Sequence, residues 1–490
     1  MTPSPALALT RYRYFILGLL CLLAMITYMD RAANGSARQA IMADLNADLP
    51  EGKRYNAEDF FYVLMAFQMA YAIFEVPSGW LGDTRGPRST LLRVVLWWSA
   101  FVALTGFVGM TLPAGIYIGF AGLIVIQFLF GVGEAGAFPN ISKALYNWFP
   151  ASARGFAKSC VWMAARLMGG LTPLIWVLLT NWKVGGMHGE LLPDGTHGDG
   201  GLGWREAMWL FAAVAGVWTA VFYFTFTNKP VPGKTNAAEM ALINAGRVEK
   251  AGPVRVPWGK LLRSRNLWAV CGMYVVTNFC WYFLMYNLPG AMKKQFPEWD
   301  GAPGGRVLLA VLSGAPLLVG MFGCYLGGVL SDRYIRKTGD RKWGRRVYGM
   351  IGYAMAGCMY LVAIAAKLIA PENVWALAIP LMLMGFFNDL IMAPAWATCQ
   401  DIGREYAATV SGAMNMVGNL VGAVSGIFFT YLTLKAYTLN PGTKQETIET
   451  TGYVICFVTY AVVYFAGVGL WLLIDANKPV VEDRVEPGTQ

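Results

Sequence analysis

Gly79-Trp80-Leu81-Gly82-Asp83-Thr84-Arg85-Gly86-Pro87-Arg88 closes one long apolar run and opens the next, and Gly328-Val329-Leu330-Ser331-Asp332 closes another in the second half of the chain. Each stretch sets an aspartate at the end of a helix-length hydrophobic segment and follows it with arginines. Such an echo marks two copies of one structural unit, the usual build of a secondary transporter that rocks one bundle of helices against another. Asp83, Arg85, Arg88 and Asp332 are therefore candidates for a gate. A carboxylate at a helix end beside arginines can latch two helices in one conformation.

The flanking sequence fixes what those segments are. A chain of 490 residues that is 56% hydrophobic and 14% charged cannot hide its apolar surface in one water-soluble core. The apolar residues come in runs of about 20, the length a helix needs to cross roughly 30 Å of hydrocarbon. Twelve runs are expected to span, at 14–33, 60–81, 89–110, 115–138, 154–180, 205–227, 266–290, 307–330, 347–369, 373–399, 406–432 and 452–474. They lack the alternation of barrel strands. The fold class is an all-α membrane protein with twelve transmembrane helices in two six-helix bundles. Residues 1–228 form the first bundle and 266–475 the second. Between them lies a basic, proline-containing linker, 229–265, with a helix expected near 236–250, and a tail covers 476–490.

The first run follows Arg11 and Arg13 and flows into Asp30 and Arg31 without a small-residue cleavage site, so it is a retained helix and not a signal peptide. The net charge of +10 does not point to nucleic acid, because most of the 39 Lys and Arg fall in loops on the side of the amino terminus. That asymmetry, concentrated in Arg333, Arg336, Lys337, Arg341, Lys342, Arg345 and Arg346, places both termini in the cytoplasm of a protein of the inner membrane. The eight cysteines show no CxxC spacing, and His188 and His197 share one Gly-rich loop, so no disulfide framework, metal or cofactor is expected. No phosphate-cradling GxxxxGK signals an ATP-driven pump. No nucleophile with its base signals an enzyme. The expected partners are a small organic anion, a proton and the lipid bilayer, with the chain acting as a monomer.

A charged side chain near the bilayer centre costs ~2.5–3.5 kcal/mol even on lenient scales, so each one kept there needs a reason. Asp30, Arg31, Glu134, Arg166 and Asp389 are in that position, with Glu75 nearer a helix end. Thr27, Arg31 and Asn34 share one face of helix 1, while Asp30 points about 100° away. Arg31 is the candidate for holding a substrate carboxylate; the alternative is an anchoring ion pair. Gln127, Gly131 and Glu134 project from one side of helix 4, where burial disfavours the charged form of a carboxylate. That suits a proton carrier, and a permanently hydrogen-bonded glutamate is the competing reading. Asp389 beside Asn388 is more often a packing carboxylate, and Glu75 before Pro77 reads as structural. Asn415 and Asn419 continue a stripe from Ser411 on helix 11, and Asn278 and Tyr282 stack on helix 7 near Trp281, Tyr286 and Asn287. Amides and aromatics of this kind read hydroxyl groups or tie helices together.

The Gly79–Arg88 stretch resembles the loop 2–3 signature of the major facilitator superfamily. Further stretches resemble its anion:cation symporter branch, which includes sugar-acid permeases and, more distantly, sialin and the vesicular glutamate transporters. They are Tyr28-Met-Asp-Arg31, Phe74-Glu-Val-Pro-Ser-Gly79, Gly131-Val-Gly-Glu-Ala-Gly-Ala-Phe-Pro139, Trp148-Phe-Pro150, Arg166-Leu-Met-Gly-Gly-Leu-Thr-Pro173 and Trp396-Ala-Thr-Cys-Gln-Asp-Ile-Gly403, running on to Val410-Ser-Gly-Ala-Met-Asn415. The resemblance implies that Glu134 and Asp30 carry a coupled proton. It also exposes a departure, since relatives of this kind usually have arginine where this chain has Gln127. Arg166 is either a replacement for that cation or a structural partner of Glu134. The expectation is proton-coupled symport of a sugar acid, a hexuronate or aldonate, with an organic-anion facilitator or exchanger as the alternative.

Overall fold

The computed structural model describes residues 9–47, 49–55, 59–113, 115–181, 201–244, 255–284, 288–301, 305–439 and 445–481. Its long helices are α1 (Tyr12–Ser36), α2 (Asp59–Arg85), α3 (Pro87–Thr105), α4a (Phe120–Glu134) with α4b (Ala137–Trp148), α5 (Arg154–Asn181) and α6 (Trp204–Thr225) in the first half. The second half holds α7 (Arg265–Tyr282), α8 (Gly305–Thr338), α9 (Arg341–Ile369), α10a (Val374–Leu390) with α10b (Met392–Gly403), α11 (Ala407–Leu439) and α12 (Gln445–Leu473). The expected twelve spans are these twelve helices. The linker helix is Ala237–Asn244, and its Glu239 receives Arg13 at 3.2 Å and the backbone N–H of Tyr12, which ties the start of α1 to the linker. His188, His197, Tyr286 and Asn287 lie outside the described residues.

Two of the expected runs are broken. The fourth stops at Glu134 and resumes at Ala137, and the tenth stops at Leu390 and resumes at Met392. The reason is the same in both. Pro139 and Pro394 have no N–H to give, and each ring clashes with the carbonyl four residues back, at Ala135 and Leu390, which is where the regular helix ends. Each proline then sits in the first turn of the following helix, where it is tolerated. The seventh helix is regular to Tyr282 and continues as a π turn at Phe283 and Leu284, and a further helix runs Leu288–Gln295.

Among the described residues, eight helical segments are long and apolar enough to cross a bilayer, one of them running through both α10 and the start of α11. The three spans outside them, α2, α3 and α7, are less apolar along their length; α2 carries Gln68, Glu75 and Asp83, α3 carries Arg88 and Arg93, and α7 carries Thr277 and Asn278. Each still turns large apolar side chains outward, among them Ile73 of α2, Leu96 of α3 and Trp268 of α7, while the polar residues Glu75, Asp83 and Asn278 are buried.

Packing repeats with the sequence. In the first half α1 lies on α5, α2 on α4a and α3 on α6; in the second, α7 lies on α11, α8 on α10a and α9 on α12. The halves meet through α2 against α11 and α5 against α8, the same pairing made twice. Small residues permit it. A Cβ on Gly79 of α2 would stand 2.5 Å from the Ala408 carbonyl oxygen, and one on Gly328 of α8 would meet the Gly155 carbonyl of α5. Gly79→Val should therefore force α2 from α11 at a cost of about 1–3 kcal/mol and lower the midpoint of thermal unfolding in detergent. Gly216→Val, on α6 where an added Cβ meets open space, should leave the midpoint unchanged.

Candidate functional site

The two signature aspartates do the same thing in mirror fashion. Asp83, at the end of α2, accepts from the backbone N–H groups of Ala408 (3.2 Å) and Thr409 (2.7 Å) and from the Thr409 hydroxyl (2.6 Å) at the start of α11. Asp332, near the end of α8, accepts from the N–H groups of Gly155 (3.2 Å) and Phe156 (2.7 Å) at the start of α5. The first N–H groups of a helix have no partner inside it, and its dipole favours an anion there. Each carboxylate thus caps a helix of the opposite half. A cation on its own half balances it: Lys143 stands 3.3 Å from Asp83, and Arg345 stands 2.8 Å from Asp332. Arg345 also reaches Asp401 at 3.1 Å, which takes Arg154 of α5 at 2.9 Å.

Sequence proximity misled on the partners of Asp83. Arg85 is exposed at the helix end, and Arg88 binds the Tyr223 carbonyl at 2.5 Å and takes Asn228 on its backbone N–H, bracing α3 against the end of α6. The cation beside Asp83 is Lys143, far along the chain, and no local spacing announces it.

At mid-depth Arg31 donates from Nε to Glu134 at 2.5 Å, with its guanidinium over the Tyr71 ring at 4.3 Å and 5.6 Å from the rings of Tyr28 and Phe67. The Glu134 side chain is 0% exposed, while that of Arg31 is 26% exposed, so of the two only the cation has accessible surface. One nitrogen of Arg31 and the second oxygen of Glu134 have no partner. Asp30, fully buried beside Trp98, has none on either oxygen. Asn415 of α11 donates to Glu75 and to the Tyr71 hydroxyl (3.2 Å) across the boundary between the halves. Tyr282 of α7 donates to Asn419 at 2.6 Å and accepts from Gln68 of α2. Asn278 is buried with its amide nitrogen unsatisfied. Arg31, Glu134, Asn415, Asn419 and Tyr282 thus fall into one polar network.

Arg166 and Gln127 stand elsewhere. Arg166 makes a two-pronged pair with Asp389 of α10a, Nε to Oδ2 at 2.7 Å and a terminal nitrogen to Oδ1 at 3.0 Å, and donates to the Tyr28 hydroxyl at 3.0 Å. Its partner is Asp389 and not Glu134. Asn388 donates to the same carboxylate at 3.2 Å and accepts from Tyr464 at 2.8 Å. Gln127 donates to Asn34 at 2.8 Å and lies 3.5 Å from the Thr105 hydroxyl, an amide joining α1, α3 and α4a.

Gln68, Tyr71 and Glu75 were missed as a group. They recur at the three-and-four spacing of one helix face, the same signal that singled out Asn415 and Asn419, and the proline after Glu75 drew it into a structural reading instead.

The sequence profile of the Major Facilitator Superfamily matches residues 20–426. A probable sulfoacetate transporter of Cupriavidus necator is 30% identical over 429 residues, covering 86% of this chain and 87% of that protein. A probable galactarate/D-glucarate transporter of Escherichia coli is 29% identical, with 86% and 87% covered. Among solved structures, the proton:xylose symporter XylE bound to 6-bromo-6-deoxy-D-glucose superposes with a TM-score of 0.65 at 13% identity, covering 92% of this chain and 95% of the other. That likeness is one of fold.

The Arg166–Asp389 pair is buried and fully engaged, so removing one partner strands a charge. Arg166→Gln and Asp389→Asn should each destabilise the protein by about 3–5 kcal/mol. The double variant should lose much less than the sum, a coupling that a thermal-unfolding double-mutant cycle in detergent reads directly.

Proposed function

The chain belongs to the Major Facilitator Superfamily, and from that premise we propose that it is a proton-coupled symporter of a small organic anion, a sugar acid such as a hexuronate or aldonate. It is a multi-pass membrane carrier and not an enzyme. The basic loops argue for the inner membrane, with the end of the bundle that carries Asp83, Asp332 and both termini facing the cytoplasm.

The observation that carries the reading is the Arg31–Glu134 pair, a reachable guanidinium held by a sealed carboxylate. Arg31 cannot serve Glu134 and a substrate carboxylate equally well. A proton on Glu134 cancels the charge that competes for Arg31 and frees the planar fork for a two-point grip on the anion. Loss of that proton returns Arg31 to Glu134 and expels the anion. Proton and substrate therefore favour each other's binding, which is the thermodynamic content of symport. Asp30, with two unpartnered oxygens close to Glu134, is a second place for the proton. Gln127 supplies no charge and Arg166 is committed to Asp389, so recognition of the carboxylate rests on Arg31. Asn278, Tyr282, Asn388, Asn415 and Asn419 supply the amides and hydroxyl that would read substrate hydroxyl groups. Relatives named for sulfoacetate, for galactarate and D-glucarate, and for D-galactonate support the substrate class.

Arg31→Gln should lower the uptake efficiency for D-glucarate by at least about 30-fold, the scale of a lost buried charge contact, with the protein still in the membrane. Arg31→Lys should recover little, because a point charge lacks the fork. Near-normal uptake by the Gln variant would remove Arg31 from the site. Glu134→Gln copies the protonated side chain in shape and hydrogen bonding. In proteoliposomes it should lose accumulation driven by a pH gradient while keeping exchange of labelled for unlabelled substrate. If it still concentrates substrate under that gradient, Glu134 is not the coupling residue; if the wild type shows no gradient dependence, the carrier is a facilitator or exchanger.

A further inference from the structure

Arg154, Lys158, Trp162, Arg166 and Gly170 recur every four residues along α5, and all five meet the opposite half. Arg154 pairs with Asp401, Trp162 lies 5.4 Å from the Trp396 ring, Arg166 pairs with Asp389 and Gly170 packs under Leu318. Lys158 is the odd rung. It is fully buried, its one hydrogen bond is to the Ser142 hydroxyl at 3.0 Å, and its ammonium sits 4.1 Å from the ring centre of Trp396, with Phe138 at 5.6 Å and Trp162 at 5.8 Å. No carboxylate among the described residues lies within ion-pair distance of it. Arg31 has Glu134, Arg154 has Asp401 and Arg166 has Asp389. Beyond the Ser142 hydroxyl, Lys158 has only ring faces.

Ring faces stabilise a cation by roughly 0.5–2 kcal/mol each, less than a hydrated or ion-paired ammonium enjoys, so an arriving anion would supply the counter-charge that the site lacks and favour the protonated amine. Its place says which one. Lys158 stands about 6 Å, one helical turn, inside the Arg154–Asp401 rung and about 12 Å from Arg166. It lies between the centre and the end that Asp83 and Asp332 close. Trp396 belongs to the other half, so parting the halves at that end lifts the ring off the ammonium.

We propose that Lys158 is a second anion station, taking the carboxylate or sulfonate of the substrate as it leaves the central site toward the end carrying the termini, with Trp396 refilling the place on closure. This rests on the organic-anion carrier reading above and extends it.

Two measurements test the station separately from that reading. In the first, the purified full chain in detergent is titrated with D-glucarate, sulfoacetate and inorganic sulfate while tryptophan fluorescence is followed; the part of the signal lost in Trp396→Phe, or in Trp396→Tyr if the Phe variant misfolds, reports the ring over Lys158. A saturable Trp396 signal is expected in the wild type and in Lys158→Arg and is expected to vanish in Lys158→Gln. An absent signal with every anion, or one equally strong in Lys158→Gln, overturns the station. In the second, sided proteoliposomes should show Lys158→Gln raising half-saturation about tenfold for D-glucarate offered from the end carrying the termini and less than about twofold from the other. An equal change on both sides makes Lys158 a strut and overturns the proposal. Wild-type vesicles that transport none of these anions overturn the carrier reading instead, and the fluorescence titration then decides Lys158 by itself.

Discussion

The leading N–H groups of α5 and α11 have no partners within their own helices, and the closure of one end of the molecule follows from which residues satisfy them. Asp332 and Asp83, each from the opposite half, do so. Had those N–H groups been capped by residues of their own half, the halves would have no specific reason to meet there. Instead each half completes the other's helix, twice, by the pseudo-symmetry of the chain. Hydrogen bonds to a charged acceptor are worth about 1.5–3 kcal/mol each against water. A handful of them hold a closed state firmly, yet water entering the parted interface can replace every one. Lys143 and Arg345 keep the freed carboxylates from being stranded, since both belong to the same half as the aspartate they balance.

The interface then reads as layers of differing permanence. At the closed end lie the caps and the Arg154–Asp401–Arg345 group; deeper comes the aromatic cage of Lys158; at mid-depth lie the two-pronged Arg166–Asp389 pair and the network around Arg31. Arg166 and Arg31 illustrate how one residue type takes two roles. The first is sealed and spends its fork on Asp389 and Tyr28. The second is partly open, keeps one nitrogen idle and rests on aromatic faces. The idle nitrogen is itself buried, so it is the open part of the guanidinium that a ligand reaches first.

The sequence carried the architecture plainly, because a 20-residue apolar run and a repeated Gly-Asp signature are local properties. It carried faces too, as the stripes of Asn415 with Asn419 and of Asn278 with Tyr282 show. What stands across from a face is not a local property. Lys143 opposite Asp83, Asp389 opposite Arg166 and Asn415 opposite Glu75 are pairings of residues distant in the chain, each chosen by how the halves dock. The breaks in α4 and α10 were legible in Pro139 and Pro394, yet the hydrophobicity of the runs on either side masked them. Lys158 escaped notice for a related reason: one turn inside the expected start of the fifth span, it reads as an anchoring charge at the helix end until its neighbours across the interface, Trp396 above all, are seen.

The charges gathered at mid-depth explain why anion and proton traffic form one problem in the proposed symport. Helices α1, α2 and α4a bring Asp30, Glu75 and Glu134 around a single guanidinium, that of Arg31, and all three carboxyl groups are fully buried. With all three ionised such an assembly would be short of positive charge, so burial favours a proton on them before any ligand arrives. An anion entering alone would deepen the shortage in a medium where each uncompensated charge costs ~2.5–3.5 kcal/mol or more. An anion entering with a proton leaves the balance where it was. Position 127 adds no cation to this centre. With glutamine in that place, tied to Asn34 and close to the Thr105 hydroxyl, the guanidinium of Arg31 stands alone in this network, and in the proposed symport a proton would be the positive charge that enters with the substrate.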